Sequence, residues 1–278
     1  MKKLLIYMVV LFLAAAIPSL PAEMPSDHLK AGDCSFAKFD DAKALAEYQK
    51  AARLDPMNFE AIWKAGLTSM NVGDRICKDD RDSQSRKRPY YRASLEYAQS
   101  ALKLNPVDSR AHFLFAASLA RQVPSFSRKE QIAAAYKIRE EIDRSLALDP
   151  NNDLAWHALA FWHRTLAEMG GTVRLLGGVL FGKIPKGSFE EAVKGFQKAI
   201  ALNPNYCDHH LQLAQTYLDL KKKELAAREL LIALSCPDMT SQCPHFKDWA
   251  RQELNKLIAS GGVSGTLVAQ YASQNAGR

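Results

Sequence analysis

The sequence has no apolar run long enough to cross a bilayer as a helix. Its longest, Leu4 to Ile17, holds 14 residues, against roughly 20 for a spanning segment. Paired metal-ligand spacings are missing as well, since neither C-x-x-C nor H-x-x-x-H occurs. Cys207, His209, His210, Cys236, Cys243 and His245 lie near one another in the chain, but without those spacings a zinc site is not expected. No Ser-His-Asp, Cys-His or paired-carboxylate arrangement stands out, and an enzyme is not the expected reading. Gly177 to Lys183 begins as a phosphate-binding loop should. Ile184 then stands where a magnesium-holding Ser or Thr is required, and Val, Leu and Phe fill the positions where backbone must wrap a phosphate. No cofactor is therefore expected.

Acidic residues are in deficit. Lys and Arg number 37 against 30 Asp and Glu, for a formal charge of +7. Such a balance favours acidic partners or an anionic membrane surface without specifying a fold. The basic stretch from Asp74 to Arg92 carries acids interleaved with its Lys and Arg, which dilutes its field, so it reads as a solvated loop and no nucleic-acid partner is expected.

What is present begins with an address. Lys2 and Lys3 precede the apolar run, and Pro18, Pro21 and Ala22 follow it, the layout of a secretory signal peptide over residues 1–22. The expectation is an exported chain, periplasmic or secreted, with an uncleaved signal anchor as the alternative. All five cysteines, Cys34, Cys77, Cys207, Cys236 and Cys243, lie beyond that segment. In an oxidising compartment they are disulfide candidates. At least one bond is expected among Cys207, Cys236 and Cys243, with Cys77 the natural partner of Cys34. An odd number leaves one thiol over.

The rest of the chain repeats. Glu47–Gly66, Glu96–Ala116, Glu141–Ala160 and Gly195–Ala214 align, each reading as a helix end, an Asp-Pro or Asn-Pro turn and a new helix start. Small or apolar residues stand twelve, eight and five positions before Pro56 (Ala44, Tyr48, Ala51) and before Pro204 (Ala192, Phe196, Ala199). That is the tetratricopeptide pattern. The prolines Pro56, Pro106, Pro150 and Pro204 are 50, 44 and 54 residues apart, whereas the consensus repeat has about 34. Because the anchors beside each proline keep register, the excess is assigned inside the hairpins, at 74–88, around 123–128 and at 170–188. The expected fold is an all-α, tetratricopeptide-like solenoid of helical hairpins over residues 35–259, closed by an amphipathic cap helix after Cys243 and followed by a flexible tail over 260–278.

One stretch is more specific. From about residue 108 to 260 the chain resembles the tetratricopeptide-like domain of the regulator of microtubule dynamics family, through Leu148–His163, the LFGKIP run at Leu180–Pro185, the helix Ser188–Pro204 and LAQTYLDL at Leu213–Leu220. The resemblance implies a helical adaptor domain with no catalytic residues to carry over.

Helix periodicity places the buried repeat positions on one face and directs Trp63, Arg110, Phe113, His157, Phe161, Arg164 and Leu211 toward the concave side. These are the candidate contacts for a protein or peptide partner. The insertion at 170–188 has six glycines among nineteen residues and is strongly apolar. It is expected to fold back, with Leu180 and Phe181 buried near Phe161 and Ile184 beside them, as a lid or a plug. That apolar content supports a second reading, a carrier of an apolar or lipid ligand.

Overall fold

The computed structural model describes residues 23–76 and 82–276. Residues 1–22 and Cys77 lie outside the described residues, so neither the signal peptide nor the Cys34–Cys77 pairing is seen. Thirteen α-helices and one short 3₁₀ turn form the regular structure, with no strand among the described residues. They are α1 (Pro25–Phe36), α2 (Asp41–Leu54), α3 (Phe59–Arg75), α4 (Ser83–Leu104), α5 (Ser109–Gln122), α6 (Arg128–Leu148), α7 (Asp153–Glu168), α8 (Gly171–Phe181), α9 (Phe189–Leu202), α10 (Cys207–Asp219), α11 (Lys223–Ser235), α12 (Cys243–Ala259) and α13 (Gly265–Ala276). None of them is long and apolar enough to cross a membrane.

The proline turns are built from local chemistry. Asp55, Asn105 and Asp149 each accept from the backbone N–H two residues on, at 3.1, 3.3 and 2.9 Å, which bends the chain as an Asx turn. Asn58, Asp108 and Asn152, two residues past Pro56, Pro106 and Pro150, then cap the N-terminus of the next helix. The proline ends one helix and the residues around it start another.

Helices pair as α1/α2, α3/α4, α5/α6, α7/α9 and α10/α11, and each pair packs on the next to give one continuous stack. Alanines at the crossings, among them Ala44, Ala65, Ala98, Ala160, Ala192 and Ala214, are fully buried and let the backbones approach closely. The first helices of successive pairs also touch one another, α3 with α5, α5 with α7, α7 with α10 and α10 with α12. The row that is crowded together lies inside the curve, so this side is concave. The fold is the expected tetratricopeptide-like solenoid.

Three boundaries differ from expectation. Helical packing starts at Pro25, not near residue 35. The α1–α2 connection turns through Phe39 at φ 61° and contains no proline, so the marker used to find the other turns is absent there. At the other end, α13 is a helix rather than an irregular tail. Its Leu267 and Tyr271, with Val263 before them, lie four residues apart and pack on the last hairpin. The third difference is α8. The other two excesses lengthen α4 and α6 to 22 and 21 residues, against 14 in α9, whereas the third forms a separate helix between α7 and α9. Gly170 and Gly182, at φ 58° and 104°, bracket it in backbone conformations that suit glycine.

Candidate functional site

The concave row is joined by polar bridges between neighbouring first helices. Arg110 of α5 pairs with Glu60 of α3 at 2.8 Å and with its own Asp108 at 2.8 Å. Its guanidinium lies 4.9 Å from the centre of the Trp63 ring and 5.2 Å from that of Phe59, a stacked cation held on two aromatic faces. At the far end of the same helix, Arg121 grips Asp74 of α3 at 2.6 Å, and the Tyr91 hydroxyl donates to Asp74 at 2.8 Å.

A second set joins α7 to α10. Arg164 donates to the Gln212 side chain at 2.9 Å and to its carbonyl at 3.3 Å. The same guanidinium lies 5.0 Å from the centre of the Phe161 ring. Its Nε lies 3.3 Å from Glu168 and 3.9 Å from Asp219 without forming a hydrogen bond to either. Burial lowers the Arg164 pKa from its usual value, and the nearby carboxylates oppose the shift.

His157 sits between the two sets. Its Nδ1 faces Nδ1 of His209 at 2.9 Å, its Nε2 lies 3.6 Å from Asp208, and its ring stands edge-on to Phe196. His209 in turn holds Asp153 at 3.0 Å. Burial first, then the charges of His209, Arg164 and Arg121, keep His157 well below the ordinary histidine range. Burial pushes the Asp208 carboxyl up, against the pull of the same two arginines. Arg121, at the end of α5, is thus within electrostatic range of the start of α10. A further link joins the ends of the stack: Ser241, between α11 and α12, donates to Asp41 at the start of α2.

The seven expected groove residues divide. Trp63, Arg110 and His157 are half-buried and Phe161 is 42% exposed, all on the concave side. Arg164 is nearly covered but keeps its guanidinium over Phe161. Phe113 and Leu211 are core residues and offer no surface. Phe113 is buried among Met70, Leu114 and Ala117, and Leu211 within the last hairpins, because positions on this face also fill the contacts between adjacent first helices. Missed by sequence reasoning were Asp74, Arg121 and Asp208 as charged groups that act across turns of the stack. No spacing rule links Asp74 to Arg121 or His157 to Asp208.

The insertion does not fold back. Leu175, Leu176, Val179 and Leu180 are between 61% and 80% exposed and Phe181 is 45% exposed, so the expected burial of Leu180 and Phe181 against Phe161 is corrected. A helix satisfies its own backbone polar groups, and α8, which touches α6, therefore leaves its aliphatic side chains exposed without stranding those groups. Arg174, whose guanidinium donates to the Leu166 carbonyl at 2.7 Å, ties its first turn to α7. Ile184 is half-buried and lies close to Gly177 of α8.

Among the Cys and His residues near the C-terminus, only the three cysteines converge. His209 turns to Asp153 and His210 to Glu229, whereas Cys207, Cys236 and Cys243 form one buried group. These three and the exposed Cys34 are free thiols in the structure.

Residues 27–260 match the family model described as regulator of microtubule dynamics protein 1-3. Regulator of microtubule dynamics protein 1 of Mus musculus is 31% identical over 199 residues, which are 71% of this chain and 64% of that protein. The Rattus norvegicus protein is 32% identical over 70% of this chain and 62% of its own length. The chain thus spans a little under two thirds of these mammalian relatives. The Caenorhabditis elegans protein of the same name is 23% identical over 81% of this chain and 96% of its length. Among solved structures, a tetratricopeptide-repeat protein of Thermus thermophilus superposes with a TM-score of 0.58 at 14% identity, covering 82% of this chain and 99% of that one. This likeness concerns the fold.

Proposed function

The chain belongs to the regulator of microtubule dynamics protein 1-3 family, and from that premise we propose that it is a non-catalytic adaptor whose concave face binds a protein or an extended peptide. The observation that supports this is the pair of cation-on-ring platforms on the concave side, the half-buried Arg110 over Trp63 and the covered Arg164 under the exposed Phe161. Arg and Trp dominate the energetic centres of protein interfaces because each combines large contact area with directed hydrogen bonds. An ion pair to Glu60 fixes Arg110, and hydrogen bonds to Gln212 fix Arg164, to the neighbouring helix, so little conformational freedom is lost when a partner arrives.

The relatives are named for regulating microtubule dynamics. For this chain we infer export, on the basic and apolar residues of 1–22. An exported protein does not meet tubulin, so the partner in this reading is an extracytoplasmic protein.

A photo-crosslinking amino acid at Phe161, with Ile232 on α11 as the control position, tests the reading in cells producing the full chain. Protein adducts at Phe161 and none at Ile232 are expected. Equal labelling at both positions, or none at Phe161, would refute the groove.

One observation favours a second reading. Helix α8 exposes four aliphatic side chains, with Lys183 and Lys186 exposed just beyond it. An apolar helix flanked by cations suits an anionic bilayer surface or an apolar ligand. Sedimentation with anionic and with zwitterionic vesicles separates this from the adaptor. Retention on anionic vesicles that is lost in V179E/L180E supports it, and failure to sediment with either removes it.

A further inference from the structure

The buried thiol group at the base of the last hairpin is not used by either reading of the concave face. Cys207 is the first residue of α10 and Cys243 the first of α12, and their sulfurs lie 3.2 Å apart. Both are fully buried. The Cys243 sulfur also receives the Met239 N–H at 3.4 Å and faces the Thr240 hydroxyl at 3.3 Å. It sits at a helix N-terminus as well, where free N–H groups favour negative charge. Cys236 belongs to the same group but is turned away, its thiol lying 3.3 Å from the Ile232 carbonyl and 3.9 Å from that of Pro204.

We propose that Cys207 and Cys243 are a dithiol that closes to a disulfide by exchange with an external disulfide, latching the start of α12 to the start of α10. The hydrogen bond from Cys207, with the donors from Met239 and Thr240, holds the Cys243 thiol below its usual range, while the same bond and burial hold Cys207 above it. Cys243 is therefore the attacking sulfur.

Its thiolate attacks one sulfur of an external R–S–S–R, forming a mixed disulfide and releasing R–S⁻, which takes up a proton. Cys207 then loses its proton and attacks the Cys243 sulfur of the mixed disulfide, expelling the second R–S⁻ as a thiol. Two protein thiols are oxidised and one external disulfide is reduced to two thiols. Access runs through the connection between α11 and α12, where Pro237, Asp238 and Met239 are exposed. The bond closes a loop between residues 36 apart. It also fixes the segment that carries Ser241, and so bears on the link between the two ends of the stack.

The full-length protein, equilibrated at graded ratios of oxidised to reduced glutathione, alkylated and digested without reduction, gives the test. A Cys207–Cys243 peptide is expected in the wild type and in C236S. Amides of residues 238–242 should exchange hydrogen more slowly in the oxidised protein, which should also melt several degrees higher than the reduced form. A dominant Cys207–Cys236 or Cys236–Cys243 linkage overturns the proposal. So does the absence of any linkage among the three in protein refolded at the oxidising end of the series.

Discussion

His112 and His210 stand at equivalent places in their repeats and do the same work. Each directs Nε2 at the carbonyl of its own turn proline, at 2.9 Å to Pro106 and 3.0 Å to Pro204, and Nδ1 at a glutamate of the following helix, Glu141 or Glu229. Trp156 reaches Pro150 in the same way through its indole N–H, at 2.9 Å. Sequence reading placed His210 only among the Cys and His residues near the C-terminus, because a repeat pattern records size and not the N–H that the turn carbonyl needs. Replacing His112 with Leu keeps the bulk and removes both contacts, leaving the turn carbonyl and the buried Glu141 short of a partner. Stability to urea should fall by about 1–3 kcal/mol. His157 carries the opposite pH signature to an ion-paired histidine. Its folded pKa lies below the unfolded value of 6.5, so below that pH the unfolded chain takes up a proton that the folded one refuses. The stability difference is complete above pH 6.5 and is lost on acidification, at up to about 1.4 kcal/mol per pH unit. Urea unfolding of wild type and H157Q from pH 7.5 down to about pH 5 should show a steeper loss in the wild type, and parallel curves would mean that His157 titrates normally.

Elements were legible where local chemistry decides them. The Asp-Pro or Asn-Pro turns with a capping Asn or Asp two residues later are self-contained, and α3, α5 and α7 begin where those residues place them. Helix α1 was missed because its turn uses Phe39 in the left-handed region instead of a proline. Glycine is a poor helix former, yet Gly177 and Gly178 lie inside α8, where apolar neighbours at helical spacing outweigh their propensity cost. One glycine beyond α8 is tightly constrained. A Cβ on Gly187 would lie 2.1 Å from the His163 carbonyl oxygen and 2.6 Å from the Ala167 nitrogen. Both are helix backbone atoms that cannot turn aside. Gly187→Ala is expected to cost about 1–3 kcal/mol by forcing this stretch of chain off α7. Thermal unfolding measures this directly, and an unchanged melting temperature would mean that the α8–α9 connection is free to move.

The whole molecule was legible as a repeat stack but not as one whose ends meet. Spacing between prolines counts hairpins, whereas the angle each adds depends on side-chain volumes at every crossing. The concave candidates divide for the same reason: periodicity assigns them to one face, and packing decides that Phe113 and Leu211 are buried while Trp63 stays half-buried and Phe161 exposed. The Ser241–Asp41 contact joins residues 200 positions apart. Small-angle X-ray scattering of S241A should give a larger radius of gyration than wild type with an unchanged circular-dichroism spectrum. Identical scattering would show that the remaining packing holds the ends together.

That contact alters the mechanics of the molecule. An open coil of repeats behaves as a spring, its compliance growing with each hairpin added. Fastened end to end, the same coil responds as a hoop, stiff until the clasp parts and soft afterwards. One hydrogen bond contributes only about 0.5–1.5 kcal/mol net, so thermal motion releases the clasp often.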